Sequence, residues 1–215
     1  MDKEAKIIIS IAGIAILGVV LLMILNPKVS VESSSIDTSY LVASTSHMTG
    51  SKTALVTLVE FGDYECPACA NINPSVEKLV AEYKTNPDFN FVFRNFPLPQ
   101  HNNAMIAAEV AEAAASQGKF WEMKDLLYEK QNEWAESATP IDLFVKYAKE
   151  LKLDTTKFKS DVENKKYEDI ILSDRSDGNK VNVSWTPTFY LNGKLQDAAG
   201  DLDAIKSKID LLLKK

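Results

Sequence analysis

Leu55-Val56-Thr57-Leu58-Val59-Glu60-Phe61-Gly62-Asp63-Tyr64-Glu65-Cys66-Pro67-Ala68-Cys69 is the stretch that decides how this chain is read. Its first half is a short apolar run closed by Gly62-Asp63, the pattern of a buried strand. Beyond Cys69, Ile72, Val76, Leu79, Val80 and Tyr83 recur at helical spacing. The two cysteines therefore stand at a strand-to-helix junction, and the chain has no others. A C-x-x-C so placed points to reversible dithiol–disulfide chemistry. Its spacing puts both sulfurs on neighbouring turns of one helix face, within reach of a disulfide. The competing readings are a zinc site and two incidental core thiols. Zinc normally takes four ligands, and no second C-x-x-C or H-x-x-x-H completes the set.

Outward from this stretch the chain alternates between sheet and helix. Pro74 falls inside the first helical pattern, where a kink is expected. Phe89, Phe91 and Phe93 alternate with Asn90, Val92 and Arg94 as a second strand would. A helical block follows. Ala104, Ala107, Ala108, Ala111 and Ala115 form a small-residue stripe, Gly118 is a stop, and Phe120, Met123 and Leu127 resume the spacing. Thr139-Pro140 opens a helix with Ile141, Phe144, Val145, Ala148 and Leu151 inward. A more polar helical stretch runs from about 155 to 173. Pro187-Thr188-Phe189-Tyr190-Leu191 then meets Asn192-Gly193 and continues as Lys194-Leu195-Gln196, a hairpin signal. Leu202, Ile205, Ile209 and Leu212 close the chain as an amphipathic helix. Without the helical block the order is β-α-β…β-β-α, an α/β fold with a four-stranded sheet and helices packed on it. No internal repeat is present.

The N-terminus carries a different signal. From Ile7 to Leu25 the residues are apolar or small apart from Ser10, with no charge. At ~1.5 Å per residue the run crosses a hydrocarbon core of ~30 Å. A cleaved signal peptide has a shorter apolar region and a small-x-small site, which Met23-Ile24-Leu25-Asn26-Pro27 does not offer. An uncleaved single-pass transmembrane helix over 7–25 is expected. Lys3 and Lys6 before the run, against Lys28 alone just after it, keep residues 1–6 in the cytoplasm and send the rest outward. Disulfides persist there. Residues 26–52, rich in serine and threonine, read as a flexible linker in which Tyr40-Leu41-Val42 can dock as an edge strand or turn. His47 is expected to be solvated there. Asn182-Val183-Ser184 matches a glycosylation sequon, a short match with little weight. The net charge of −6 is well mixed and shows no basic stripe, which argues against a nucleic-acid partner.

From about Thr53 to the C-terminus, three separated segments resemble the DsbA-like thiol-disulfide oxidoreductases of the thioredoxin superfamily. Val59 to Cys69 resembles their active-site segment. Phe96-Pro97-Leu98, His101, Asn103-Ala104 and Gln117-Gly118-Lys119-Phe120-Trp121 resemble their inserted helical domain. Trp185-Thr186-Pro187-Thr188-Phe189-Tyr190-Leu191-Asn192-Gly193 resembles their proline loop and hairpin. The resemblance is nearest to membrane-anchored bacterial members. It implies a thioredoxin fold over 53–215 with an α-helical insertion at about 100–178, and thiol-disulfide exchange outside the cytoplasm. It further implies exported proteins with thiols as substrates, a membrane redox partner that recharges the pair, and the Cys66–Cys69 disulfide in place of a cofactor. Oxidation of exported proteins is the first expectation. Reduction or isomerisation by the same residues is the alternative, with a non-catalytic peptide- or copper-binding module behind it.

Each residue of the motif then takes an expected role. Cys66, just ahead of the helix, lies at the positive end of its dipole, where thiolate is favoured and attacks. Cys69, one turn on, is the buried resolving thiol. Pro67-Ala68 contacts substrate, and alanine at 68 gives a thiolate neither charge nor hydrogen bond. Glu65 raises the Cys66 pKa if its carboxylate approaches, and has no such effect if it faces solvent. For Glu60 the residues alone leave two readings open, a buried acid and a solvent-facing one. The resemblance places a buried acid there, a proton relay to Cys69. It also implies a cis bond before Pro187, a loop facing the cysteines, and backbone groups of Thr186 that pair with a bound peptide. Trp185 lines that groove or belongs to the core. His101 is expected to cap or bond the following helix, and a metal site of Cys66, Cys69 and His101 is the remote alternative.

Overall fold

The computed structural model describes residues 36–196 and 202–214. The expected anchor over 7–25 lies outside them. Among the described residues no helix is long and apolar enough to cross a membrane.

A 3₁₀ turn at Thr38–Tyr40 is followed by β1 (His47–Met48), β2 (Val56–Gly62), α1 (Pro67–Glu82) and β3 (Phe89–Asn95). The helical block is α2 (Ala104–Ala115), α3 (Phe120–Glu129), α4 (Gln131–Trp134), α5 (Ile141–Glu150), α6 (Thr155–Glu163) and α7 (Glu168–Lys180). β4 (Thr188–Leu191), β5 (Lys194–Gln196) and α8 (Leu202–Leu213) complete it. The sheet order is β1-β3-β2-β4-β5, with β2 and β3 parallel and the other pairs antiparallel. Strand β2 is central, and all its residues but Thr57 are buried. That is why it reads as a continuous apolar run rather than an alternation.

The structure departs from the sequence reading in four respects. The sheet has five strands, because β1 pairs with β3 through His47 and Met48 opposite Phe93 and Val92. The second half of the expected linker is thus part of the fold, and the compact unit begins at Ile36 rather than near Thr53. Leu41 is buried against Val59, Phe61 and Tyr190, so the expected docking of Tyr40-Leu41-Val42 takes the form of a turn. His47 is not solvated: it stacks on Phe120 with centroids 3.5 Å apart and lies 2.9 Å from the Glu112 carboxylate. The polar stretch expected over 155–173 is two helices, α6 and α7, divided near Lys165, which has φ 48°.

The two faces of the sheet bury different things. On one, Val56, Leu58, Phe91, Phe93 and Phe189 pack with both cysteines, α1 and the helical block. On the other, Val59, Phe61, Val92 and Tyr190 pack with Leu41, Phe96, Val181 and Val183. Each fully buried phenylalanine contributes roughly 1.5–3 kcal/mol. The second face also holds Arg94, fully buried, with Nε 2.7 Å from Asp174 and Nη2 2.9 Å from Asp177 of α7. That ion pair fastens the helical block to the sheet. The Asn192-Gly193 hairpin forms as read, with φ of 45° and 80° at its two turn residues. α1 continues through Pro74.

Candidate active site

Parallel β2 and β3 end side by side, and their C-terminal ends carry the loops that build the site. A crevice outside the carboxyl ends of parallel strands is where α/β folds bind ligands. Cys66 is the N-cap of α1 and Pro67 its first residue, where proline's missing N–H costs no hydrogen bond. Both cysteines are free thiols; Cys69 is fully buried and Cys66 is 7% exposed.

The two thiols are driven in opposite directions. Hydrogen bonding from the Cys69 side chain is the main cause that lowers Cys66, from 9.0 to about 5. Burial opposes it, and the Thr186 side chain and the backbone N–H groups of Cys69 and Ala68 add to the lowering. Cys69 is pushed well above the ordinary thiol range, first by burial, then by its bond to Cys66 and by the nearby Glu60 charge. Opposed shifts on paired groups separate an attacking thiolate from a retained thiol.

Against Cys66 lies the loop before β4. The Thr186–Pro187 bond is cis. As a thiol, Cys66 donates to the Thr186 carbonyl at 3.3 Å, and Thr186 is itself buried. Trp185 is 60% exposed, so it belongs to the surface beside this loop and not to the core. Pro67 and Ala68 are exposed, on the side of the helix open to solvent.

Beneath Cys69 the sheet carries an acid. Glu60 pairs with Phe93 on one side and Phe189 on the other, at the middle of the central strand, and is 1% exposed. Its solvent-facing reading is therefore excluded. Burial raises its pKa from 4.5 to about 7, and the charge of Lys124 moderates the rise. Lys124 of α3 is itself 2% exposed; Nζ donates to Asn73 Oδ1 and lies 5.4 Å from the Tyr128 ring centre. Glu60 Oε2 and the hydroxyls of Tyr64 and Tyr128 are buried without partners among the described residues.

Several of these groups were not singled out from the sequence. Lys124, between Met123 and Leu127 on the buried face of α3, is the one with a legible signal, a charge at an inward helical position. Gln131 Nε2 donates to the carbonyls of Tyr64 (2.7 Å) and Cys66 (3.0 Å), so the helical block holds the active-site turn. Glu65 turns from Cys66 to accept the Asn103 N–H, and burial raises its pKa. His101 bonds back to Asp63 at 2.6 Å, not to the helix after it. These links join residues far apart in sequence, and no local pattern announces them.

This fold and this thiol pair define a thioredoxin-fold protein. The thioredoxin family profile matches residues 43–211. The chain is 31% identical to the probable disulfide bond formation protein D of Bacillus anthracis, over 97% of this chain and 95% of that one. It is 37% identical over 164 residues to Na(+)/H(+) antiporter NhaA 3 of Salinispora tropica, 76% of this chain but 24% of that protein. This chain thus spans about a quarter of the length of such antiporter relatives. Among solved structures, oxidised BdbD from Bacillus subtilis superposes with a TM-score of 0.72 at 27% identity, covering 84% of this chain and 97% of that one. The α-DsbA2 protein of Wolbachia pipientis shares the fold, with a TM-score of 0.69 at 21% identity over 81% and 90% of the two chains. The chain belongs to the thioredoxin family.

Proposed function

We propose that this protein is a thiol-disulfide oxidase that acts outside the cytoplasm, held at the membrane by residues 7–25, and that it oxidises cysteine pairs of exported proteins. The observation that carries the reading is the pair itself. Cys66 caps a helix with its pKa lowered to about 5, and Cys69 lies buried behind it with its pKa raised. A thiolate so stabilised favours the dithiol form, and hence makes the disulfide a better oxidant.

The cycle starts from the Cys66–Cys69 disulfide. A substrate thiolate attacks Cys66 Sγ; a bond forms between the two sulfurs, and Cys69 leaves as a thiolate. Glu60, near neutrality in its pKa, supplies the proton that Cys69 retains. A second substrate thiolate then attacks the substrate sulfur of the mixed disulfide and releases Cys66 as its stabilised thiolate. The substrate has lost two electrons, the pair has gained them, and a membrane redox partner restores the disulfide. The Thr186 backbone and the exposed Trp185, with Pro67 and Ala68, form the surface that holds the peptide.

The test is oxidative refolding of reduced ribonuclease by the purified oxidised chain, with Cys66→Ala as control. Refolding by the wild type that Cys66→Ala abolishes supports the reading. Refolding that survives the substitution refutes the assignment of the nucleophile.

A further inference from the structure

Away from the cysteines, the helical block buries a carboxyl group with one oxygen left over. Glu109 of α2 is 3% exposed. Its Oε2 accepts the Tyr167 N–H at 3.1 Å, at the start of α7. Its Oε1 is buried and has no hydrogen-bond partner among the described residues. An unpaired buried carboxyl oxygen is costly and calls for a donor. Burial raises the Glu109 pKa from 4.5 to about 7. The Tyr167 N–H opposes that rise, the charges of Glu168 and Glu112 add to it, and Lys165 opposes it.

Glu109 borders a cleft of about 310 Å³. Met105, Ile106 and Glu109 share one face of α2 and, with Asn102 just ahead of the helix, form one wall. Val162 and Glu163 at the end of α6, with Lys165 and Glu168 across the turn into α7, form the other. The ionisable groups of the lining are three carboxylates, Glu109, Glu163 and Glu168, against Lys165, whose Nζ already lies 3.2 Å from Glu168. The cleft is therefore acidic, with apolar surface from Met105, Ile106 and Val162. Among the described residues no three His, Cys, Asp or Glu side chains converge to hold a metal ion, so a bare cation is a poor fit. An alkyl chain that ends in an ammonium fits better: its stem lies on the apolar surface and its head supplies Glu109 Oε1 with a donor. An ammonium is a point donor that needs one free oxygen, whereas the guanidinium fork is matched to two. Here Tyr167 already holds the second oxygen.

We infer that this cleft is a recognition site for a lysine side chain, with Glu109 as the residue that receives the ammonium. That the lysine belongs to a bound polypeptide rests on the oxidoreductase reading. Asn102 borders the cleft, and its neighbour Asn103 gives its N–H to Glu65, next to Cys66. The cleft and the active-site turn are thus joined through two consecutive residues, and one polypeptide spans both. Glu109 binds and takes no part in the exchange of sulfurs.

The experiment is a titration of the oxidised full-length chain, labelled at its methionine methyl groups for NMR, with a capped tripeptide that carries lysine and no cysteine. The chain has five methionines, of which Met105 borders the cleft, so its signal reports occupancy there. A saturable Met105 shift is expected. Arginine in place of lysine should weaken binding at least about 3-fold, and norleucine at least about 10-fold. Glu109→Gln still accepts the Tyr167 N–H through its amide oxygen, and should weaken the lysine peptide at least about 10-fold. A second measurement needs no variant. Wild-type affinity should fall about 10-fold from pH 8 to pH 6, because Glu109 takes up a proton there while lysine stays charged. Absence of a saturable Met105 shift, equal binding of the norleucine or arginine peptide, or a flat pH profile overturns the inference. Binding of pentylamine without binding of the peptide would put a free amine in the cleft and overturn the polypeptide assignment. The probe carries no thiol, so the titration is independent of redox activity. Lysine binding by a chain that cannot refold reduced ribonuclease would support the cleft and strike the oxidoreductase reading instead.

Discussion

Replacing Glu60 by glutamine removes one buried titration and changes little else in volume, so its effect on stability can be worked out with its sign. Burial places the Glu60 pKa at about 7 in the folded chain, against 4.5 when free. Between those values the folded chain holds a proton that the unfolded chain has released. Stability therefore falls as pH rises through this window, by about 1.4 kcal/mol per unit. The penalty is absent below pH 4.5, accumulates up to about 7, and then levels off at about 3 kcal/mol. Glutamine has no such dependence. The difference in unfolding free energy, Glu60→Gln minus wild type, should therefore be about 3 kcal/mol more favourable at pH 8 than at pH 4. Whatever constant offset arises from the altered hydrogen bonding is common to both pH values. Urea unfolding of the dithiol forms at pH 4, 6 and 8 measures this, because titrations shared by the two proteins cancel. A difference that stays flat to within about 0.5 kcal/mol would show that Glu60 titrates as it does in the unfolded chain. It would then be no proton store for Cys69.

Other substitutions and titrations test separate parts of the structure. Alkylation of the reduced chain by iodoacetamide should modify Cys66 alone, with a rate that is half-maximal near pH 5; a midpoint above pH 8 would contradict the stabilised thiolate. Arg94→Met leaves Asp174 buried and uncompensated, and should cost about 3–5 kcal/mol of stability in thermal or urea unfolding; a loss below about 1 kcal/mol would mean the pair fastens nothing. Gly178→Ala sets a Cβ 2.6 Å from the Phe96 ring. Overpacking of about 1–3 kcal/mol should exceed the helix-propensity gain of up to about 1 kcal/mol, so a rise in stability would count against this packing. Trp185→Ala should leave stability within about 0.5 kcal/mol, since the ring is largely exposed, and raise KM for peptide substrates; an unchanged KM would remove Trp185 from the peptide surface.

What the sequence showed and what it hid divide along a physical line. Local patterns were legible: the apolar β2 run, the strand-to-helix position of Cys66 and Cys69, the Asn192-Gly193 turn and the period of α8. Each depends on neighbours within a few residues. The register of β2 between β3 and β4 was not, and with it went the burial of Glu60, which the residues alone left open. Residues 36–52 read as linker because serine and threonine dominate them. Only the edge of β3, which accepts His47 and Met48, makes them part of the sheet. His47 and His101 were both misplaced for the same reason. Their partners, Glu112 and Asp63, lie dozens of residues away and are brought to them by tertiary packing.

The central claim is that the Cys66–Cys69 pair is an oxidant, and its reduction potential in glutathione buffers at pH 7 tests that most directly. Thioredoxin, with a nucleophile pKa of about 7, has a potential of about −270 mV. A Cys66 pKa of about 5 stabilises the dithiol form at pH 7 by nearly two further units, each worth about 30 mV for a two-electron couple. The account predicts a potential of about −220 mV or more positive, in the range of disulfide donors. A value at or below about −270 mV would make the pair a reductant and contradict the account.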